Sequence, residues 1–423
     1  MSEHTRQPRL LLTTREMLVV CVTILLVIVI GVGYRLVSGS QSSTSAAWTV
    51  GGDFVAFYIG GRILNDYDPA RLYDLDLQEQ LYRELVPDAT RLALPYPYPP
   101  FVAALFRPLA LLPYSAALVI FLIVMPLVFL GSIALLVRQF GPADREERAL
   151  ALLGGLSFFP FAGYTWLGAQ ITVVAFASVA AALIADDRGK YFLSGLALCL
   201  CLYKPTLLLL IVPMLLVSGR VRHLAGLAAG TGLVVAISLA VAGAAASRAF
   251  VERLRWMGSS YTGETSVFVN PYRFVDLNSF FRLLPYGRSL GGQILLGLIA
   301  VAAAIALIFT WMRARNAERG ERMLVWAATL VWTSVLNVYT SAYDTIFVVA
   351  AAILAVAAIR ARGSHERTLV GVALLIVYIA PWIAELSTHL IKVQIYTLAL
   401  TWFGSVLLWE ARRPAISPPP AGA

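Results

Sequence analysis

A few polar residues in a largely apolar chain have the types and spacing for chemistry. Gly51-Gly52-Asp53-Phe54 sets one carboxylate just beyond the first long apolar run. Paired glycines let a backbone come close to a ligand, and a partly desolvated aspartate can take the proton of a hydroxyl group. Asp53 also stands ahead of a helical stretch from Val55, where it would serve as an N-cap, and both readings stay open. Lys204-Pro205 interrupts an apolar stretch, and an ammonium there either binds an anion or snorkels to the surface. Arg253, Arg255, Arg273 and Arg282 lie with Asn278 in a later polar stretch, where they could grip a phosphate or simply be solvated. Gln170 separates two apolar segments and Tyr343-Asp344 opens another, so each is a site residue or a helix end, the aspartate suiting the helix dipole. The sequence has no cluster with metal-ligand spacing, no phosphate-cradling glycine loop and no nucleophile triad.

The elements that must position these residues are membrane helices. The 423 residues are 59% hydrophobic and only 13% charged, and the mean hydropathy is +0.77; a soluble domain carries about 25% charged residues. The apolar runs are continuous rather than alternating, which selects helices over a barrel. Their length suits a hydrocarbon core about 30 Å thick. The expected fold is therefore all-α and polytopic, a single integral membrane domain over 1–423 with about twelve crossings. These are 16–37, 114–137, 149–167, 170–185, 191–203, 206–218, 224–245, 291–312, 323–340, 344–359, 368–386 and 391–409. The fifth and sixth are too short to span fully and meet at Lys204, which should sit recessed.

The net charge of +9 reads as topology and not as a nucleic-acid footprint, because most of the 33 Lys and Arg residues fall between apolar runs on one side. Short basic segments stay cytoplasmic, so both termini are expected inside, as in a bacterial inner membrane protein. The first outside loop, 38–113, has mixed helical spacings at Phe54–Leu64 and Leu72–Leu85, read as short helices along the membrane surface. Then comes the rigid Tyr96-Pro97-Tyr98-Pro99-Pro100-Phe101. A second outside loop covers 246–290, and a short tail from 411 is read as disordered. Asp53, Gln170, Lys204, the Arg and Asn residues of the second loop and Tyr343-Asp344 all fall on the outer side. The inner side offers loop charges alone. Cys21, Cys199 and Cys201 lie in apolar segments, placed for neither a disulfide nor a metal.

An aspartate soon after the first span resembles the hallmark of the GT-C membrane glycosyltransferases. Gly52-Asp53-Phe54, Tyr98-Pro99-Pro100-Phe101, Gly168-Ala169-Gln170, Lys204-Pro205 and Tyr343-Asp344, in that order, are similar to glycosyltransferase family 87. The resemblance implies a GT-C fold and an inverting transfer of a hexose, mannose in this family, from a polyprenyl-phosphate donor to a lipid or glycan hydroxyl on the periplasmic face. It implies no nucleotide, no metal and no other cofactor. Asp53 would be the base; Lys204, with Arg273 and Arg282, would hold the donor phosphate. Tyr98, Gln170, Asn278, Tyr343 and Asp344 would line the sugar or acceptor pocket. Where many relatives carry a histidine beside the Tyr-Asp pair, this chain has Ser341 and Ala342, which points to a different acceptor. Two rivals share the outward cavity: a flippase of lipid-linked sugars, which would also expose polar groups toward the other face, and an O-antigen ligase or polymerase type, which would use the second loop.

Overall fold

The structure, a computed structural model, describes residues 13–38, 51–87, 95–262, 271–362 and 367–413, so the tail after Arg413 lies outside the described residues. Among these no strand is present, and the chain runs as α1 (Thr14–Ser38), α2 (Phe54–Asp66), α3 (Leu75–Leu85), α4 (Pro100–Phe106), α5 (Tyr114–Phe140), α6 (Arg145–Ser157), α7 (Thr172–Asp187) and α8 (Tyr191–Ala197). It continues through α9 (Ile211–Val217), α10 (Val221–Thr262), α11 (Leu277–Leu283), α12 (Leu290–Arg313), α13 (Arg319–Leu336), α14 (Phe347–Ala361), α15 (Arg367–Ile391) and α16 (Ile395–Arg412). Six helical stretches are long and apolar enough to cross a membrane: α1, α5, α10, α12, Ala342–Ala361 and α15. A seventh counts if α6 and the π-helical turn Pro160–Trp166, bent by 42°, are one span. The protein is thus an all-α polytopic membrane protein. Helices also occupy the other expected segments, where the chain is shorter or more polar. Among them, the two short helices expected around Lys204 are Tyr191–Tyr203 and Pro205–Val217.

Burial separates an inner layer from an outer one. In α13, 13 of 18 residues are buried, and α14 and α16 pack against it. By contrast, α1, α5, α12 and α15 turn large apolar side chains outward, among them Ile30, Leu127, Leu298, Phe309 and Leu386. A water-soluble protein does not expose such a continuous apolar surface, whereas lipid covers it at no cost.

The first loop builds a lid of aromatic rings over one end of the bundle. Nine of the 13 residues of α2 are buried, so protein covers a helix whose spacing alone suggests a surface position. Phe57 stacks on Phe106 at 4.9 Å between centroids, Phe54 lies 5.1 Å from Phe121, and Phe57 lies 4.9 Å from Tyr98. Such pairs add about 0.5–1.5 kcal/mol each beyond the area they bury. The stretch read as the second outside loop, from residue 246, begins as helix. Gly243, at φ +73°, breaks the helix, but α10 resumes beyond it to Thr262, because Ala244-Ala245-Ala246-Ser247-Arg248-Ala249 are good helix formers. Further on, Phe274 pairs with Ser341 in an isolated bridge, and Val275 N–H donates to the Thr340 carbonyl at 2.8 Å. The loop is thereby pinned beside the turn that carries Tyr343 and Asp344.

The opposite end of α7 is richer than loop charges. Asp186 is buried, lies 2.7 Å from His223 Nε2 and accepts from Trp326 Nε1 at 3.1 Å. Its neighbour Asp187 pairs with Arg319 at 2.7 Å.

Helices α8 and α10 cross with no room between backbones. A Cβ on Gly195 would strike the His223 carbonyl, and one on Gly226 would strike the Phe192 carbonyl; small residues allow this approach in membranes. Gly226→Leu is expected to lower the thermal midpoint of the detergent-solubilised protein by several degrees, the scale of about 1–3 kcal/mol for overpacking. Gly297→Leu, whose Cβ meets nothing within 4 Å, is expected to leave it unchanged. Equal midpoints for the two variants would show that this crossing is loose.

Candidate functional site

Asp53 stands at the N-cap position of α2 and does not cap it: its backbone is helical, φ −93° and ψ −11°, and its side chain accepts no bond from the helix. The carboxylate turns instead to Gln170, whose Nε2 donates to it. Backbone bonds set this register. Gly51 N–H donates to the Leu167 carbonyl at 2.8 Å and Asp53 N–H to the Gly168 carbonyl at 3.3 Å. Gly51 takes φ +81°, and a Cβ there would press into Leu118, so the turn that presents Asp53 requires glycine. The other strand of the docking ends the π-helical turn: Gln170 N–H returns to the Thr165 carbonyl at 2.8 Å, and Ala169 takes φ +51° to allow it. Gln170 is buried, and its side-chain carbonyl oxygen has no hydrogen-bond partner among the described residues.

Lys204 sits where two short 3-10 turns meet, Leu198–Tyr203 and Pro205–Leu208. Pro205 cannot continue the ladder, and the break turns the lysine side chain toward the turn Ala342–Ile346. There its Nζ forms an ion pair with Asp344. The Asp344 side chain is 1% exposed and that of Lys204 25%, so the lysine is the less buried member of the pair. Thr172 Oγ1 donates to Asp344 Oδ1 at 3.4 Å, and Tyr203 Oη to Thr172 Oγ1 at 3.4 Å. The Tyr343 ring lies under Lys204 Nζ, 5.2 Å from its centroid, a cation-π distance. Asn337 Nδ2 holds the Thr206 carbonyl at 2.9 Å, which anchors the lysine turn from below.

Both groups share one neighbourhood. Tyr343 feels the charges of Lys204, Asp344 and Asp53 together, and Tyr98 lies among Tyr343, Asp53, Tyr203 and Asp344. Tyr98 is held by its own carbonyl, which accepts from Tyr73 Oη at 2.6 Å, and by its ring, 5.9 Å from that of Tyr203. Thr165 joins the two halves: its Oγ1 donates to the Pro160 carbonyl at 2.8 Å and reaches the Tyr343 carbonyl at 3.2 Å. Burial raises the pKa of Asp53 above the ordinary carboxylate range, while the Gln170 amide and the charge of Arg273 pull it partly back. Such a carboxylate is a stronger base than a solvated one.

The residues singled out in the sequence do not all meet. Asp53, Gln170, Tyr98, Lys204, Tyr343 and Asp344 form the cluster, with Arg273 in electrostatic reach of Asp53. Arg282 stacks on Tyr339 at 5.3 Å, and Asn278 is half-buried on α11; both belong to the segment pinned beside residues 339–341. Asp344 pairs with Lys204, accepts from Thr172 and also lines a cavity with Leu207, Asn337 and Thr340. Thr172 and Tyr203 enter the site without having stood out in the sequence, although each is a near chain neighbour of a residue that did, Gln170 and Lys204. Among the described residues no three His, Cys, Asp or Glu side chains gather in a form able to hold a metal ion. The arrangement offers a buried carboxylate with a fixed hydrogen-bond donor, and a cation within electrostatic reach of the same tyrosine, Tyr343. A buried carboxylate can take a proton from a hydroxyl, and an ammonium can attract an anion.

No curated protein and no solved structure matches the chain. The family model of glycosyltransferase family 87 matches residues 96–336, more than half of the sequence. The matched span includes Tyr98, Gln170, Lys204 and Arg273, while Asp53 and Tyr343-Asp344 flank it. With its membrane helices and the cluster just described, the chain belongs to glycosyltransferase family 87.

Proposed function

We propose that this glycosyltransferase moves a hexose, mannose on the family's precedent, from a polyprenyl-phosphate donor to a hydroxyl of a lipid or glycan acceptor, with inversion, on the periplasmic face of a bacterial inner membrane. The single observation that carries the reading is the cluster itself. A base held by Gln170 and a cation held by Asp344 lie near the same tyrosine ring. In the proposed step the acceptor oxygen attacks the anomeric carbon as its proton passes to the Asp53 carboxylate. The bond from that carbon to the phosphate oxygen breaks, and its electron pair leaves on the polyprenyl phosphate. The phosphate gains one negative charge in this step, and Lys204 and Arg273 supply positive charge where it develops. The buried Gln170 carbonyl oxygen is an acceptor suited to a sugar hydroxyl. Tyr98 and Tyr343 offer faces for a pyranose ring. The prenyl chain would lie in lipid against the exposed apolar flanks of the bundle.

The decisive assay incubates purified protein with radiolabelled polyprenyl-phosphate mannose and candidate glycolipid acceptors. Asp53→Asn keeps the shape and removes the base, so transfer is expected to fall by roughly two to four orders of magnitude with unchanged expression. Near-normal turnover would sink the assignment.

The pH dependence has a defined sign. Asp53 works deprotonated, and burial raises its pKa, so kcat/KM is expected to rise with pH along a limb lying above the ordinary carboxylate value of about 4. A profile flat from pH about 4 upward would remove Asp53 from the proton transfer.

Lys204→Met is expected to raise the donor KM by roughly ten- to a hundredfold, the scale of one charge-assisted contact. An unchanged donor KM would remove Lys204 from the phosphate site.

A further inference from the structure

Asp344 poses a physical question that the proposed transfer leaves open. A cation meant for a phosphate is already neutralised by a carboxylate that is 1% exposed. Buried carboxylates are expensive unless paired, and Asp344 is built in with care: Lys204 Nζ on one oxygen, Thr172 Oγ1 on the other, and its own N–H on the Ser341 carbonyl at 2.9 Å. Thr172 is oriented in turn by Tyr203, and Tyr343 lies under the ammonium. The hydrogen bonds fix the carboxylate beside Lys204, whose side chain is 25% exposed while that of Asp344 is 1% exposed.

We propose that Asp344 is a positioning residue that acts through Lys204, holding the ammonium in place and moderating its grip on the lipid phosphate so that the product can leave. This rests on the reading of Lys204 as the donor-phosphate contact. The donor is a phosphodiester with one negative charge, and the product is a phosphomonoester with up to two. A bare lysine in a low-dielectric site would bind the product far more tightly than the donor and stall turnover. A carboxylate behind the ammonium attracts it from the other side and repels the phosphate, and its effect on the dianion is about twice that on the monoanion. The same carboxylate keeps the lysine aimed, so removing it separates tight binding from rapid turnover.

The test measures binding of undecaprenyl monophosphate to the full-length protein in detergent, together with steady-state kinetics on the donor. Asp344→Asn keeps the shape, removes the charge and keeps one acceptor oxygen for Lys204, while the Thr172 hydroxyl can turn to accept from the new amide. It is expected to bind undecaprenyl monophosphate roughly tenfold more tightly, to lower donor KM by less, and to lower kcat. A merely structural aspartate would give weaker or unchanged binding in this variant, and either result overturns the inference. Lys204→Met is expected to weaken binding. If Lys204→Met binds undecaprenyl monophosphate like the unaltered protein, the phosphate reading falls and the inference with it. If Lys204→Met weakens binding but Asp344→Asn leaves it unchanged, the inference alone falls. Should Asp344→Asn fail to fold, Asp344→Glu replaces it: the charge is kept but displaced by one methylene. A shift of several-fold in phosphate binding is then expected, and binding equal to that of the unaltered protein overturns the proposal.

Discussion

The arrangement of the bundle depends on a charge that cannot be left alone. An ammonium in the middle of an apolar stretch must find a carboxylate or water, and Lys204 finds Asp344, 140 residues further along the chain. For the two to meet, the chain must break at Pro205, the turn Ala342–Ile346 must open α14 at the same depth, and Thr172 at the start of α7 must lie close enough to take the second carboxylate oxygen. Three separate helical units are thereby brought to one point. Asn337 on the Thr206 carbonyl and Thr397 Oγ1 on the Val275 carbonyl, at 2.9 Å each, extend that junction to the end of α13 and to α16. A buried ion pair contributes little net stability compared with an apolar pair, but separating its members is costly, and so it specifies which elements must stay together.

Asp53 shows the opposite economy. It occupies a helix N-terminus and leaves the cap unmade, although a capping aspartate is worth roughly 1 kcal/mol. The helix is held by its aromatic face instead, through Phe54, Phe57 and Tyr58 against Phe106, Tyr114 and Phe121. Packing thus frees the carboxylate from a local duty. The same division occurs at the second loop, where Asp276 does the structural work, capping α11 through Ser279 N–H at 2.8 Å and receiving Thr340 N–H at 2.9 Å. Two aspartates at two helix starts thus play different parts, one bonded to its own helix and the other to Gln170.

The sequence made some of this legible. Lys204 stood out because an isolated charge inside an apolar run has few ordinary explanations, and the basic residues on either side limited the flanking helices to about their observed lengths. Gly51-Gly52-Asp53 stood out because glycine pairs mark close backbone approach. The partners did not. Gln170 lies 117 residues from Asp53, and no periodicity encodes such a distance; the pairing of Asp344 with Lys204 was likewise hidden because nothing local ties it to a lysine on another helix. The continuation of α10 beyond Gly243 was hidden because a single glycine and then Arg248, Glu252 and Arg253 look like the start of a loop. At the other end of α7, Asp186 is followed by Asp187-Arg188-Gly189-Lys190 and so resembles a solvated turn. Burial against His223 and Trp326 is decided by α10 and α13, which sequence spacing does not locate.

One short stretch has an unusual position in the site. Residues 165–172 receive the backbone of Gly51 and Asp53, donate Gln170 to the Asp53 carboxylate, reach the Tyr343 carbonyl through Thr165 and the Asp344 carboxylate through Thr172. It ties the Asp53 carboxylate to the Lys204–Asp344 pair at a set spacing. On the proposed chemistry that separation is set by the line from the acceptor oxygen through the anomeric carbon to the departing phosphate oxygen, which stays the same whatever acceptor is used. The surrounding loops are then free to diverge with the acceptor, whereas inserting or deleting a single residue between Thr165 and Thr172 would put the two halves out of step.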